Sequence, residues 1–153
     1  MTELWELEAR EEIRRTVWTY AVSGDSGRVD DLAAQFTADG VLEVPSGERA
    51  VGREAIIAML RSHAADGAPP PSDKPFFIRH HVSNILAQEV TPTAAKGVAY
   101  FAVYTPDGPD HWGRYRDEYA PVDGRWLLTY RRARVDSFVP GGWFHRVYKD
   151  HLD

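Results

Sequence analysis

The spacing of hydrophobic and polar positions changes partway along this chain. From Thr2 to about Gly24, Ile13, Val17 and Tyr20, with Trp18, Ala21 and Val22 alongside, recur at three and four residues, which predicts a helix with a broad apolar face. Thr2 is the expected N-cap and Gly24 the expected stop. A shorter helix is expected from Val29 to about Thr37, capped by Asp25 or Ser26 and closed by Asp39-Gly40. Val41 to Val44 reads as a short strand ended by Pro45-Ser46-Gly47, and Gly52 precedes a third helix carrying Ala55, Ile56, Met59 and Leu60. The proline-rich run from Ala68 to Pro75 cannot continue that helix and is expected to be a loop.

Beyond the prolines the period falls from 3.6 to 2. Strands are expected at about 76–89, 94–105, 111–121 and 125–136, with Asp107-Gly108 and Asp123-Gly124 as hairpin turns. Three helices followed by a long antiparallel meander predict one α+β domain over residues 1–153, a curved sheet wrapping over helices. The tail, 138–153, keeps Phe138, Val139, Trp143, Phe144, Val147 and Tyr148, so it is expected to dock on the domain or on a neighbouring subunit. An outer sheet face carrying Tyr100, Tyr104 or Tyr119 would expose a large apolar patch in a monomer. A homo-oligomer is therefore expected, a trimer in preference to a dimer.

Composition then removes whole classes of function. The net charge of −5 gives no phosphate-seeking surface of the kind that non-specific nucleic-acid binding requires, so no nucleic-acid partner is expected. With no cysteine, disulfide frameworks, Cys-based zinc sites, iron–sulfur ligation and a thiol nucleophile all drop out. Met1 to Arg15 lacks the apolar stretch of a secretory signal, and no run approaches the ~18 apolar residues of a membrane span. The expectation is a soluble cytoplasmic protein with no membrane partner. The histidines at 63, 80, 81, 111, 145 and 151 show neither HxxxH nor HExxH spacing, and no P-loop, GxGxxG or GxSxG occurs. No metal and no cofactor are expected.

His80 and His81 fall in a predicted strand, where neighbouring side chains point to opposite faces. Ile78, His80, Val82 and Asn84 share one face, and Arg79, His81 and Ser83 the other. Putting Arg79 in water turns His80 inward. Asp25, at the end of the first helix, reads either as an ordinary helix cap or as a carboxylate steering His80, which would fix the imidazole tautomer and strengthen the other nitrogen as a base. Tyr20, Tyr115 and Arg131 are either polar handles of a pocket or, respectively, core filler and a surface side chain.

Several segments carry a resemblance. Ile13 with Tyr20 and Asp25, then Leu32-Ala33 to Phe36 with Asp39-Gly40, and Val51-Gly52-Arg53-Glu54-Ala55 come first. Arg79-His80-His81-Val82-Ser83-Asn84, Gly113-Arg114-Tyr115-Arg116-Asp117-Glu118-Tyr119 and Asp123-Gly124-Arg125-Trp126 follow. In that order, over residues 8 to 136, the chain resembles the SnoaL-like branch of the nuclear-transport-factor-2-like superfamily. Its relatives include scytalone dehydratase, bile-acid 7α-dehydratase and hexachlorocyclohexane dehydrochlorinase. The resemblance implies a cone-shaped α+β barrel, three N-terminal helices in the concave face of a mainly antiparallel sheet, a deep apolar pocket and frequent trimers. It implies that Asp25 pairs with His80, and that Tyr20 matches the tyrosine of the dehydratase branch. Tyr115 and Arg131 would line the pocket, with Arg132 the alternative to Arg131 if the strand phase differs. Trp18, Phe36, Leu42, Met59 and Val82 would form apolar walls, and Asn84 would join them on the His80 face. His81 carries no implied role. The activity expected is a cofactor-independent, dehydratase-type lyase acting on a small cyclic or polycyclic apolar substrate. A ketosteroid-isomerase-like or polyketide-cyclase-like enzyme and a non-catalytic ligand-binding module are the alternatives.

Overall fold

The structure is a computed structural model that describes residues 1–67 and 75–151, so all of the expected 68–75 loop except Pro75 lies outside the described residues. Helix α1 (Leu4–Asp25) buries Ala9, Ile13, Thr16, Val17, Tyr20 and Ala21, the three-and-four spacing of its apolar stripe. It starts after Glu3, in extended backbone, rather than after Thr2, and runs through Gly24 to Asp25. Trp18 sits about 100° round the helix from Val17 and is 47% exposed, so the expected pocket wall is a surface residue.

The second helix is much shorter than the spacing predicts. Helix α2 (Val29–Ala33) stops before Phe36, where strand β1 (Phe36–Glu43) begins, so Phe36 and Thr37 belong to the sheet. Pairing to a long strand outweighs local spacing here: Phe36 lies opposite Leu128 and Val41 to Glu43 opposite Tyr130 to Arg132, all parallel. Asp39-Gly40, expected to close a helix, instead carries the register shift inside β1. A Cβ on Gly40 would stand 2.9 Å from both the Leu128 carbonyl oxygen and Phe36 Cβ, which only glycine avoids. Pro45-Ser46-Gly47 ends the strand as expected, but leads into a further strand, β2 (Arg49–Val51), paired antiparallel to β1. Helix α3 (Arg53–Asp66) buries Ile56 and Met59.

The meander consists of β3 (Arg79–Gln88), β4 (Ala95–Thr105), β5 (Gly108–Val122) and β6 (Arg125–Phe138). Asp123 and Gly124, with φ of 50° and 78°, form the β5–β6 hairpin turn that the sequence predicts. At the other hairpin the two turn residues are Pro106 and Asp107, because Gly108 already pairs with Thr105. The six strands run in the order β2-β1-β6-β5-β4-β3, antiparallel throughout except at β1–β6, and form one curved, unclosed sheet. Helix α1 packs against β3 and β6, and α3 against β1. The core between them holds Ile13, Val17, Phe36, Leu42, Ile56 and Leu128, each 1% exposed or less.

A fourth helix, α4 (Trp143–Tyr148), followed by a 3₁₀ turn (Lys149–His151), occupies most of the tail. Phe144 and Tyr148 are buried, and the Trp143 indole N–H donates to the Gly67 carbonyl at 2.9 Å. Tyr100 and Tyr104 face outward as expected. Tyr119 does not: it is 2% exposed and points into the core. Among the described residues no helix is long and apolar enough to cross a membrane.

Candidate active site

The end of α1 and the start of β3 meet at two atoms. Asp25 Oδ1 lies 2.6 Å from His80 Nδ1, and Asp25 Oδ2 accepts the His80 backbone N–H at 2.8 Å. The carboxylate side chain is 9% exposed and the imidazole 26%. Helix α2 has Arg28 at its N-cap with no side-chain hydrogen bond, so of the two readings of Asp25 the cap is not the one its carboxylate takes. A carboxylate at Nδ1 holds the ring proton there and leaves the Nε2 lone pair free.

Along β3 the alternation holds from Arg79 to Ser83: His80 and Val82 are half-buried, and Arg79, His81 and Ser83 are exposed. It then breaks. Asn84, expected on the His80 face, is exposed with φ of 52°, and the register against β4 shifts between Ser83 and Leu86. The bulge moves the inward phase to Ile85 and Ala87. Asparagine tolerates the left-handed conformation that such a bulge requires.

Arg131 is inward and fully buried, while Arg132 faces outward toward Glu43, which settles the strand phase. Arg131 Nε and Nη2 donate to Asp117 Oδ1 and Oδ2 at 2.8 and 2.7 Å, and the Tyr119 hydroxyl donates to the same carboxylate at 2.7 Å. Its guanidinium carbon lies 4.3 Å from the Tyr20 ring centroid and 4.0 Å from that of Tyr115, and among the described residues its buried Nη1 has no hydrogen-bond partner. From there the rings are continuous. Tyr115 stacks on Phe101 at 4.6 Å, and Phe101 lies 6.3 Å from His80 and 6.1 Å from His111. Burial raises the Tyr20 hydroxyl above its ordinary range against the opposing pull of Arg131, and burial does the same to Tyr115. Both are therefore neutral O–H donors at any working pH. Asp117 holds Arg131 well above its ordinary range in spite of burial, so its charge is permanent.

A second acid–imidazole pair, absent from the sequence expectations, lies nearby. Asp110 Oδ2 is 2.7 Å from His111 Nδ1, with the two side chains 2% and 7% exposed. Asp110 also accepts the backbone N–H groups of Trp143 and Phe144, the first turn of α4. Burial lowers the His111 imidazole below its ordinary value, though Asp110 opposes this. Burial acts to raise Asp110, but His111 and the two backbone donors more than offset it, and its carboxyl ends below the usual range. Two adjacent strand residues are both inward because the ladder shifts between Val103 and Tyr104. Strict alternation could not reveal that, and the one available signal was the Asp-His dipeptide itself.

Of the expected apolar walls, Phe36 and Leu42 are fully buried core, Met59 is 6% exposed and Val82 is half-buried beside His80. Among the described residues no three His, Cys, Asp or Glu side chains converge as metal ligands would.

The SnoaL-like domain family matches residues 5–132. No curated protein matches the chain. Among solved structures, a putative scytalone dehydratase from Novosphingobium aromaticivorans is 26% identical with a TM-score of 0.70, over 89% of this chain and 87% of that one. Rv3472, a protein of unknown function from Mycobacterium tuberculosis, is 27% identical with a TM-score of 0.69, over 85% and 77%. LinA shares the fold at a TM-score of 0.76, with 18% identity over 91% and 93%.

Proposed function

Since the chain belongs to the SnoaL-like domain family, we propose that it is a cofactor-independent lyase that eliminates water from a small cyclic or polycyclic apolar substrate. The observation that carries this reading is the two-atom hold of Asp25 on His80. His80 Nε2 takes a proton from carbon next to a carbonyl, the C–H electrons become the new double bond, and the hydroxyl on the neighbouring carbon takes that proton back from the imidazolium as its C–O bond breaks and departs as water. Asp25 keeps the ring in the productive tautomer and stabilises the imidazolium that forms. The hydroxyls of Tyr20 and Tyr115 donate to the carbonyl oxygen or to the departing one, and Arg131, with a charge that does not titrate, stabilises negative charge developing there.

The likeness to a putative scytalone dehydratase supports elimination in particular. An isomerase or a cyclase would begin with the same proton abstraction and differ only in where the proton or the ring bond goes. A non-catalytic module would have the pair apart, or its interior plugged by Trp18 and Phe36. The pair is in contact and Trp18 faces water, although Phe36 is packed in the core. We also take the chain to work as a homo-oligomer, a trimer, because Tyr100, Tyr104 and Trp112 stand 55%, 38% and 40% exposed on the outer sheet face.

The test is turnover of a panel of steroid-like and polyketide-like hydroxyketones by the wild-type protein and by His80→Ala. Dehydrated product from the wild type and a loss of about 10²- to 10⁴-fold in the variant are expected. Equal rates would remove His80 from the mechanism, and a shifted double bond with no loss of water would replace elimination by isomerisation.

A further inference from the structure

The convex face of the sheet, away from the Asp25–His80 pair, carries a cluster that the proposed reaction does not use. Arg114 and Arg116 alternate outward along β5, and Arg132 and Arg134 along β6. The pairing sets Arg114 directly opposite Arg134 and Arg116 directly opposite Arg132. Like charges placed directly across a ladder destabilise it. Two such pairs in succession, in a chain of net charge −5, are therefore held against the electrostatics of the free sheet.

The four guanidinium side chains surround a hollow of about 120 Å³, and among the described residues they alone line it. Acids stand within ion-pair distance of only half of the cluster. Arg132 Nε lies 2.9 Å from Glu43 Oε1, and Arg114 Nε lies 3.4 Å from Asp136 Oδ1. Among the described residues Arg116 and Arg134 take part in no ion pair, so two uncompensated positive charges stand diagonally across the hollow. Guanidinium forks bind tetrahedral and planar oxyanions through paired N–H donors. Beside it, and sharing Arg114, is a hollow of about 600 Å³ with His81, Tyr100, Tyr104 and Trp112 in its wall.

We propose that Arg114, Arg116, Arg132 and Arg134 form a binding site for a doubly charged oxyanion, phosphate or a phosphate monoester, on the face of the sheet opposite the catalytic pair. The two unpaired arginines match its charge. Bound anion relieves the cross-strand repulsion, and the aromatic surface beside the arginines is left to the contact between copies. The site is separate from the proposed lyase chemistry, so its failure leaves that chemistry untouched.

The experiment is thermal unfolding of the full chain, titrated with inorganic phosphate and with phenyl phosphate against chloride at matched ionic strength, with sedimentation of the same samples. The wild type is expected to show a saturable rise in Tm at millimolar phosphate, beyond the gradual rise that exclusion of phosphate from any protein surface produces. Arg116→Gln and Arg134→Gln are expected to lose the saturable part and, without anion, to melt no lower than the wild type, because each removes a like-charge pair. Tighter binding of phenyl phosphate would identify an ester as the ligand, and tighter binding of inorganic phosphate the free ion. A wild-type response equal to that in chloride would overturn the proposal, as would a saturable response surviving in both variants. A response that appears only with a change in sedimenting mass would overturn it too, by giving the arginines to an interface between copies.

Discussion

Asp25 grips its strand partner by backbone and by ring together, so it sets both where β3 lies against α1 and which nitrogen of His80 carries the proton. Asp25→Asn separates these roles. The amide oxygen can still take one N–H, but the amide cannot hold the imidazolium, and turnover is expected to fall towards that of His80→Ala with circular dichroism unchanged; wild-type turnover would show that tautomer control is not needed. Arg131 makes a stability prediction of another kind. Arg131→Met would strand Asp117, itself 3% exposed, as an unpaired buried charge, at a cost of about 3–5 kcal/mol in urea unfolding. Replacing Asp117 by Leu in the same chain is expected to recover a large part of that loss, and no recovery would count against an electrostatic cause. At this scale His80 was legible because alternation and the charge of Arg79 agree. Asn84 was not, because a bulge is a choice of backbone conformation that an asparagine permits without announcing.

Helix α4 is tied to the sheet through one carboxylate, Asp110, which also holds His111. Since burial lowers the His111 imidazole, its neutral form is the one that folding favours. The associated stability is complete above the ordinary histidine value of about 6.5 and is lost as the pH falls below it. Asp110, also lowered, adds stability that is present above about 3.9 and lost on further acidification through its folded value. Urea unfolding at pH 7.5, 6.5 and 5.5 should show a decline that His111→Gln makes shallower; parallel curves would contradict this. Gly113 gives a sharper element-scale prediction. A Cβ there would collide with the Arg134 carbonyl oxygen across the β5–β6 ladder, so Gly113→Ala is expected to lower Tm by several degrees, and an unchanged Tm would refute the close approach. The sequence hid the β1 start inside a helical spacing because five residues of helix and a parallel strand can both satisfy Leu32, Ala33 and Phe36. The three-residue β2 carries too few positions for any period to show.

For the whole molecule, the order of helices and meander was readable because the change from a period of 3.6 to 2 survives every local error, whereas the pairing of β1 with β6 joins residues some ninety positions apart and leaves no local trace. On the outer sheet face, beside the arginine hollow, Tyr100, Tyr104 and Trp112 form an exposed aromatic patch, and aromatic residues are enriched at interfaces. Light scattering is expected to return about three times the chain mass of 17.3 kDa, and a monomer would leave that aromatic patch without an occupant. Such assembly would leave the interior chemistry to each subunit, since Asp25, His80, Tyr20, Tyr115 and Arg131 come from one chain. That chemistry is tested most directly by following deuterium uptake from heavy water at the carbon beside the carbonyl in a panel of cyclic ketones. The account predicts exchange catalysed by the wild-type protein and slowed about 10²- to 10⁴-fold by His80→Ala; exchange at the same rate in both, or at the uncatalysed rate with every ketone, would contradict it.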